Sequence, residues 1–194
     1  MSEVKSEKEN VMRLLLSGQL ENIELGLTLA DSLQVDITEF KNDIEFLHEW
    51  SSDISLKSKD LSFQEKAVEI YSKDLVYLPH KNLTTIPSQI QYFKNVTKFD
   101  LSNNNLTRLS FEITMLAKLE IISLGNNQLE LFPVEITKLS NLQLLVLTRN
   151  KIKSLPFEIT NLEKLESLVL INNPISDSEM EKIKSWLPNC EIKF

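Results

Sequence analysis

From Val96 onward, apolar residues return at a fixed interval. Blocks opening at Val96, Leu119, Leu142 and Leu165 are each separated by 23 residues. Apolar side chains fill the fourth place (Phe99, Ile122, Leu145, Leu168) and the sixth (Leu101, Leu124, Leu147, Leu170). They also fill the eleventh (Leu106, Leu129, Ile152, Ile175), while the ninth is Asn every time: Asn104, Asn127, Asn150 and Asn173. Later in each block, places 14, 18 and 21 are apolar again, as in Phe132, Ile136 and Leu139. A fainter copy opens at Lys73, with Val76, Leu78, Leu83, Ile86 and Ile90 in register. A degenerate copy spans 51–72, with Ile54, Leu56 and Leu61, and its second half predicts a regular helix capped by Ser62.

The period dictates an architecture. Places 4 and 6 alternate with their neighbours, which predicts a short strand. So short a strand cannot bury its apolar side alone, so the copies must stack into a parallel sheet over a shared Leu/Ile core. The recurring Asn sits where the strand turns. Its amide can donate to and accept from turn backbone that would otherwise be buried and unpaired. Pro87, Pro133 and Pro156 suit the first turn of a short helix, whose places 18 and 21 face inward. Ser110 replaces Pro in one block, a change the turn should tolerate.

The segments LEIISLGNNQL and LQLLVLTRNKI, continued by LPFEITNL, resemble the leucine-rich repeat family. The tail from Asn172, with Asn173-Pro174 and a Leu187-Pro188-Asn189-Cys190 run, looks like the C-terminal cap of that family. In such a cap Trp186 and Leu187 would shield the last core layer, and Ile192 and Phe194 would form a final half-strand. The resemblance implies an α/β leucine-rich repeat solenoid with short parallel strands on its concave face and short helices on its convex face. It also implies a role in protein binding. The wording of the repeats is similar to that of many bacterial repeat proteins.

Three amphipathic segments precede the array. Their apolar positions are Val11, Leu14, Leu15 and Leu16; then Ile23, Leu25, Leu27, Leu29 and Ala30; then Phe40, Ile44, Phe46, Leu47 and Trp50, with Asp36 or Thr38 as a cap. Residues 1–50 are expected to form an N-terminal helical cap and residues 51–194 the repeat domain. That domain divides into a degenerate repeat 51–72, repeats 73–95, 96–118, 119–141 and 142–164, and a last repeat with its cap over 165–194.

Charge and composition narrow the function. All of the net charge of −7 falls in the first fifty residues; the remainder is balanced. No basic patch exists for a phosphate backbone, so nucleic acid is not an expected partner. No stretch is apolar enough to span a membrane, and the charged start MSEVKSEKEN has no leader-like apolar core, so a cytoplasmic location is expected. A single Cys190 excludes an internal disulfide and a thiolate cluster, and is expected to be a buried, inert thiol. With only His48 and His80, neither at metal-ligand spacing, and three glycines, no metal or cofactor is expected. His48 reads as structural. The protein reads as non-catalytic; a hydrolase or transferase using His80 is the minor alternative.

The contact face follows from the strand period. With places 4 and 6 inward, places 3, 5 and 7 face the concave side and place 8 its rim. Several of these outward places are nonetheless apolar: Leu75, Tyr77, Ile121, Leu144, Val146, Val169 and Ile171. His80 and Arg149 occupy place 8. These nine residues are the expected partner-binding set, taking a protein or peptide. Weak self-association, as in a self-assembling scaffold subunit, is the alternative.

Overall fold

The structure, a computed structural model, describes residues 2–51 and 61–194. The expected Ile54 and Leu56 positions lie outside these residues. Contacts divide the chain into two units. One takes in Asp74–Ser88 and Val96–Phe194; the other takes in the chain up to Lys73 together with Gln89–Asn95. The sequence boundary at residue 50 therefore differs from the division by contacts. The helix α4 (Phe63–Ser72), placed with the repeats in the sequence reading, packs with the helices before it. It begins in a reciprocal capping box between Ser62 and Glu65, so its predicted start stands.

The array unit is a six-stranded parallel sheet in chain order: β1 (Leu75–Tyr77), β2 (Lys98–Asp100), β3 (Ile121–Ser123), β4 (Leu144–Val146), β5 (Ser167–Val169) and β6 (Glu191–Lys193). The register pairs each inward residue with its counterpart one repeat on: Val76 with Phe99, Phe99 with Ile122, Ile122 with Leu145, and Leu145 with Leu168. Leu101, Leu124, Leu147 and Leu170 form a column without solvent access. Each such side chain contributes about 1.5–3 kcal/mol of burial.

The Asn column does what its place predicts. Asn127 donates to the carbonyls of Leu101 and Leu124 at 3.0 Å each and accepts from the Leu106 amide at 3.0 Å. Asn150 repeats this one step on, with Leu124, Leu147 and the Leu129 amide. Every such Asn thus ties the end of its own strand to the preceding repeat.

Opposite the sheet run five-residue 3-10 segments: Phe111–Met115, Val134–Lys138 and Phe157–Asn161. Their isoleucines, Ile113, Ile136 and Ile159, are fully buried. Pro133 and Pro156 stand immediately before these segments rather than inside their first turn, at φ of −72° and −77°. Proline holds that angle without losing a needed N–H. Ser110, at φ −82°, keeps the same backbone, but its buried Oγ has no hydrogen-bond partner.

The tail folds as helix α5 (Asp177–Trp186), capped by Ser176, followed by β6. Glu179 reaches back to accept from the Leu155 amide at 3.1 Å. Ile183 and Leu187 are buried. Trp186, expected to seal the core, instead stays half-exposed, with Phe157 edge-on at 5.5 Å and Lys182 above its ring.

The helical unit contains α1 (Ser2–Leu15), α2 (Leu20–Ser32), α3 (Thr38–Ser51) and α4. Val11, Leu15, Ile23, Leu27, Ala30, Phe40, Ile44 and Leu47 point inward, while Leu16, Leu25 and Phe46 remain exposed. Asp36 accepts from the Thr38 amide at the start of α3; the Thr38 hydroxyl, foremost, and this amide hold its carboxyl below the usual carboxylate range. The fully buried Tyr71 donates to the Leu15 carbonyl at 2.6 Å. Asn95 donates to the carbonyls of Gly18 and Tyr71. Gly18 has φ +77°, and a Cβ there would meet Lys94 at 2.5 Å. Only glycine fits.

Candidate protein-binding face

The outward residues of the strands form a grid. Along one row lie Leu75, Lys98, Ile121, Leu144 and Ser167; along the other lie Tyr77, Asp100, Ser123, Val146 and Val169. The nine expected contact residues therefore do not form one surface. Leu75 and Tyr77, 49% and 63% exposed, stand on β1 with His80 beyond them. The charged pair Lys98 and Asp100 on β2 separates them from the rest. Ile121, Leu144, Val146, Val169 and Ile171 are contiguous on and just beyond β3–β5, half-buried by their neighbours except Ile171, which is exposed.

Beside this apolar set is a hollow of ≈ 370 Å³ lined by Ser123, Gly125, Asn126, Val146, Arg149 and Ile171, among others. Arg149 is its only charged lining residue. A Cβ at Gly125 would make only ordinary contacts, the nearest being 3.5 Å from the Thr148 carbonyl oxygen. Glycine there opens space rather than meeting a backbone demand.

The rim has a feature that the sequence reading missed. His80, Asn103, Asn126, Arg149 and Asn172 all adopt the left-handed conformation, with φ between 54° and 59°. The amides of His80, Asn103, Asn126 and Arg149 are engaged: Asn126 donates to the Thr148 carbonyl at 2.7 Å and Arg149 to that of Ile171 at 2.8 Å. Asn tolerates this backbone well, and its recurrence at place 8 is the signal that was available. Arg149 has no such advantage. Its guanidinium is exposed and has no ion-pair partner among the described residues.

The residues weighed for chemistry stand apart. His48 is buried and its Nε2 lies 3.2 Å from Glu69 Oε2. His80 is exposed on the rim. Cys190, expected to be buried, is half-buried, and burial together with the neighbouring Glu191 pushes its thiol up, away from thiolate. A roomier hollow of ≈ 590 Å³ lies in the helical unit, near Leu27, Asp31, Val35, Ile37, Lys41 and Phe63. It has no His, Cys or Ser among its lining residues. Among the described residues, no group of three His, Cys, Asp or Glu side chains is placed to hold a metal ion, and no helix is long and apolar enough to cross a membrane.

Residues 94–135 match the family model for leucine-rich repeats in two copies. A leucine-rich repeat protein of Leptospira interrogans, LIC12759, is 41% identical over 62% of this chain and 31% of its own, with a TM-score of 0.60. The plant peptide hormone receptor RGFR1, solved in complex with RGF2, is 31% identical over 62% of this chain and 20% of its own, with a TM-score of 0.50. The chain thus spans under a third of the length of either protein. No curated protein matches it. Residues 94–135 thus carry leucine-rich repeats, and the array has the leucine-rich repeat fold, one typical of protein-interaction modules.

Proposed function

We propose that the protein is a non-catalytic binding module that takes an extended segment of a partner protein or peptide across β3–β5. The observation that carries this reading is the contiguous apolar set Ile121, Leu144, Val146, Val169 and Ile171 on a sheet face that the core does not use. Solvated sheet faces are ordinarily polar. Arg149, unpaired at the rim, adds a donor suited to a carboxylate or a backbone carbonyl. The likeness to a plant peptide hormone receptor solved in complex with RGF2 supports the same reading.

Capture of a partner from native cell extract, followed by calorimetry with the purified partner, tests it. Val146→Asp combined with Val169→Asp should weaken binding about 100-fold, from the loss of roughly 1.5 kcal/mol of burial at each site. The thermal transition should hold, because neither side chain belongs to the core. Unchanged affinity would reject this face.

A further inference from the structure

A second apolar surface lies on the opposite side of the array, where the concave-face reading assigns nothing. Place 16 opens each 3-10 segment and is Phe111, Val134 and Phe157 in three successive repeats. Their exposures are 65%, 49% and 62%, and Leu131 beside them reaches 81%. These side chains are more exposed than the apolar set on β3–β5. Next to Leu131 and Val134 is a hollow of ≈ 510 Å³, also lined by Arg108, Phe132 and Glu135. The surface thus carries both a protruding apolar side chain and a depression to receive one.

Its charges are sorted at the two ends of the row. On the flank that precedes it along the chain stand Arg108 and Lys153, with Glu130 between them 4.0 Å from Lys151; on the flank that follows stand Glu112, Glu135 and Glu158. Arg108, Lys153, Glu112, Glu135 and Glu158 have no ion-pair partner among the described residues.

We propose that this row is a self-association surface whose occupant is a second copy of the chain, related by a two-fold axis running along Phe111–Val134–Phe157. Such an axis sets each place-16 residue against itself. It also turns the basic flank of one copy onto the acidic flank of the other: Arg108 meets Glu112 of the second copy, and Lys153 meets Glu158. A two-fold axis across the row would instead set Arg108 against Lys153 and Glu112 against Glu158. Like charges would then face each other at both ends. Glu130 and Glu135 of the middle repeat meet like charge under either axis, so the pairs at the two ends select the direction of the axis.

Sedimentation equilibrium of the full chain, from about 1 μM to about 1 mM, reads the result directly. The average mass should rise from 22.4 kDa toward twice that value. Val134→Glu should raise the dissociation constant about tenfold or more. Arg108→Glu alone should also weaken association, and adding Glu112→Arg should restore it. Circular dichroism checks that each variant keeps its fold; Leu131→Lys, at the most exposed apolar site, serves if Val134→Glu does not. A monomer throughout the range would overturn the proposal. So would a dimer indifferent to the row variants, a dimer lost on Val146→Asp instead, or a charge reversal that fails to restore association.

Discussion

The two units reach stability by different routes. In the array, one set of contacts recurs. The Asn rung is made by Asn104, Asn127, Asn150 and Asn173, the Leu column runs through the same repeats, and three successive 3-10 segments each bury an isoleucine; each serves only its neighbours. In the helical unit, contacts occur once. Tyr71 reaches Leu15, Asn95 bridges Gly18 and Tyr71, Asp43 accepts from Gln89 and Tyr92, and Phe40 packs edge-on against both Phe63 and Tyr92. Repetition lets damage stay local, because stability is close to a sum over repeats and their interfaces. Singular contacts have no such reserve. Repetition also frees a face: with the inward columns fixed, the outward places on β3–β5 and the place-16 row can vary without disturbing the fold.

Breaking one rung tests this contrast most severely. Asn127→Ala leaves the Leu101 and Leu124 carbonyls and the Leu106 amide without this partner. The loss should be about 3 kcal/mol or more. Amide exchange should rise in the repeats around β2–β4 while α1–α4 keep their protection. A uniform rise would show that the two units are one cooperative body.

Alkaline pH should discriminate in the other direction. Burial, foremost, raises the phenols of Tyr71 and Tyr92 well above their usual value near 10. The folded unit then keeps protons that the unfolded chain releases. Its stability is full below pH 10 and falls as pH rises beyond it, by about 1.4 kcal/mol per pH unit for each phenol. The lesser lowering at Lys73 and Lys94, also from burial, acts in the opposite sense. Urea titrations at stepped pH, followed through Trp50 fluorescence with Trp186→Phe as background, should show the decline. A midpoint constant to pH 11 (about one unit above the ordinary phenol pKa) would contradict it.

Tyr71→Phe should cost the helical unit about 1–2 kcal/mol, since only the hydrogen bond to Leu15 is removed and the ring remains. The smallest effect is a gain. Ser110→Pro removes a buried unpaired hydroxyl at a backbone proline already adopts in two other repeats, and should add about 0.5–1 kcal/mol in a chemical denaturation curve. A loss there would mean that the turn needs the Ser110 amide.

How much of this was legible follows from the same contrast. The inward columns, the Asn rungs and the strand register could be read because a place fixed in one repeat is fixed in all. The outward grid could be read too, including the Lys98 and Asp100 break, by alternation from the inward places. The place-16 row could not. It stands beside Pro133 and Pro156, where no strand or helix period says which way a side chain faces. The contacts of Tyr71 and Asn95 left no sequence trace, since a hydrogen bond made once has no period. Trp186 differs for a related reason: the cap resemblance sets it over the last core layer, while the 3-10 segment of the preceding repeat gives it Phe157 outside.

The direct test of the central claim is hydrogen–deuterium exchange on the full chain with and without its purified partner. Binding across the sheet predicts slowed exchange at 121–126, 144–149 and 167–172, with the 3-10 segments and α1–α4 unchanged. Slowing confined to the helices or to the place-16 side, with β3–β5 exchanging as in the free chain, would contradict it.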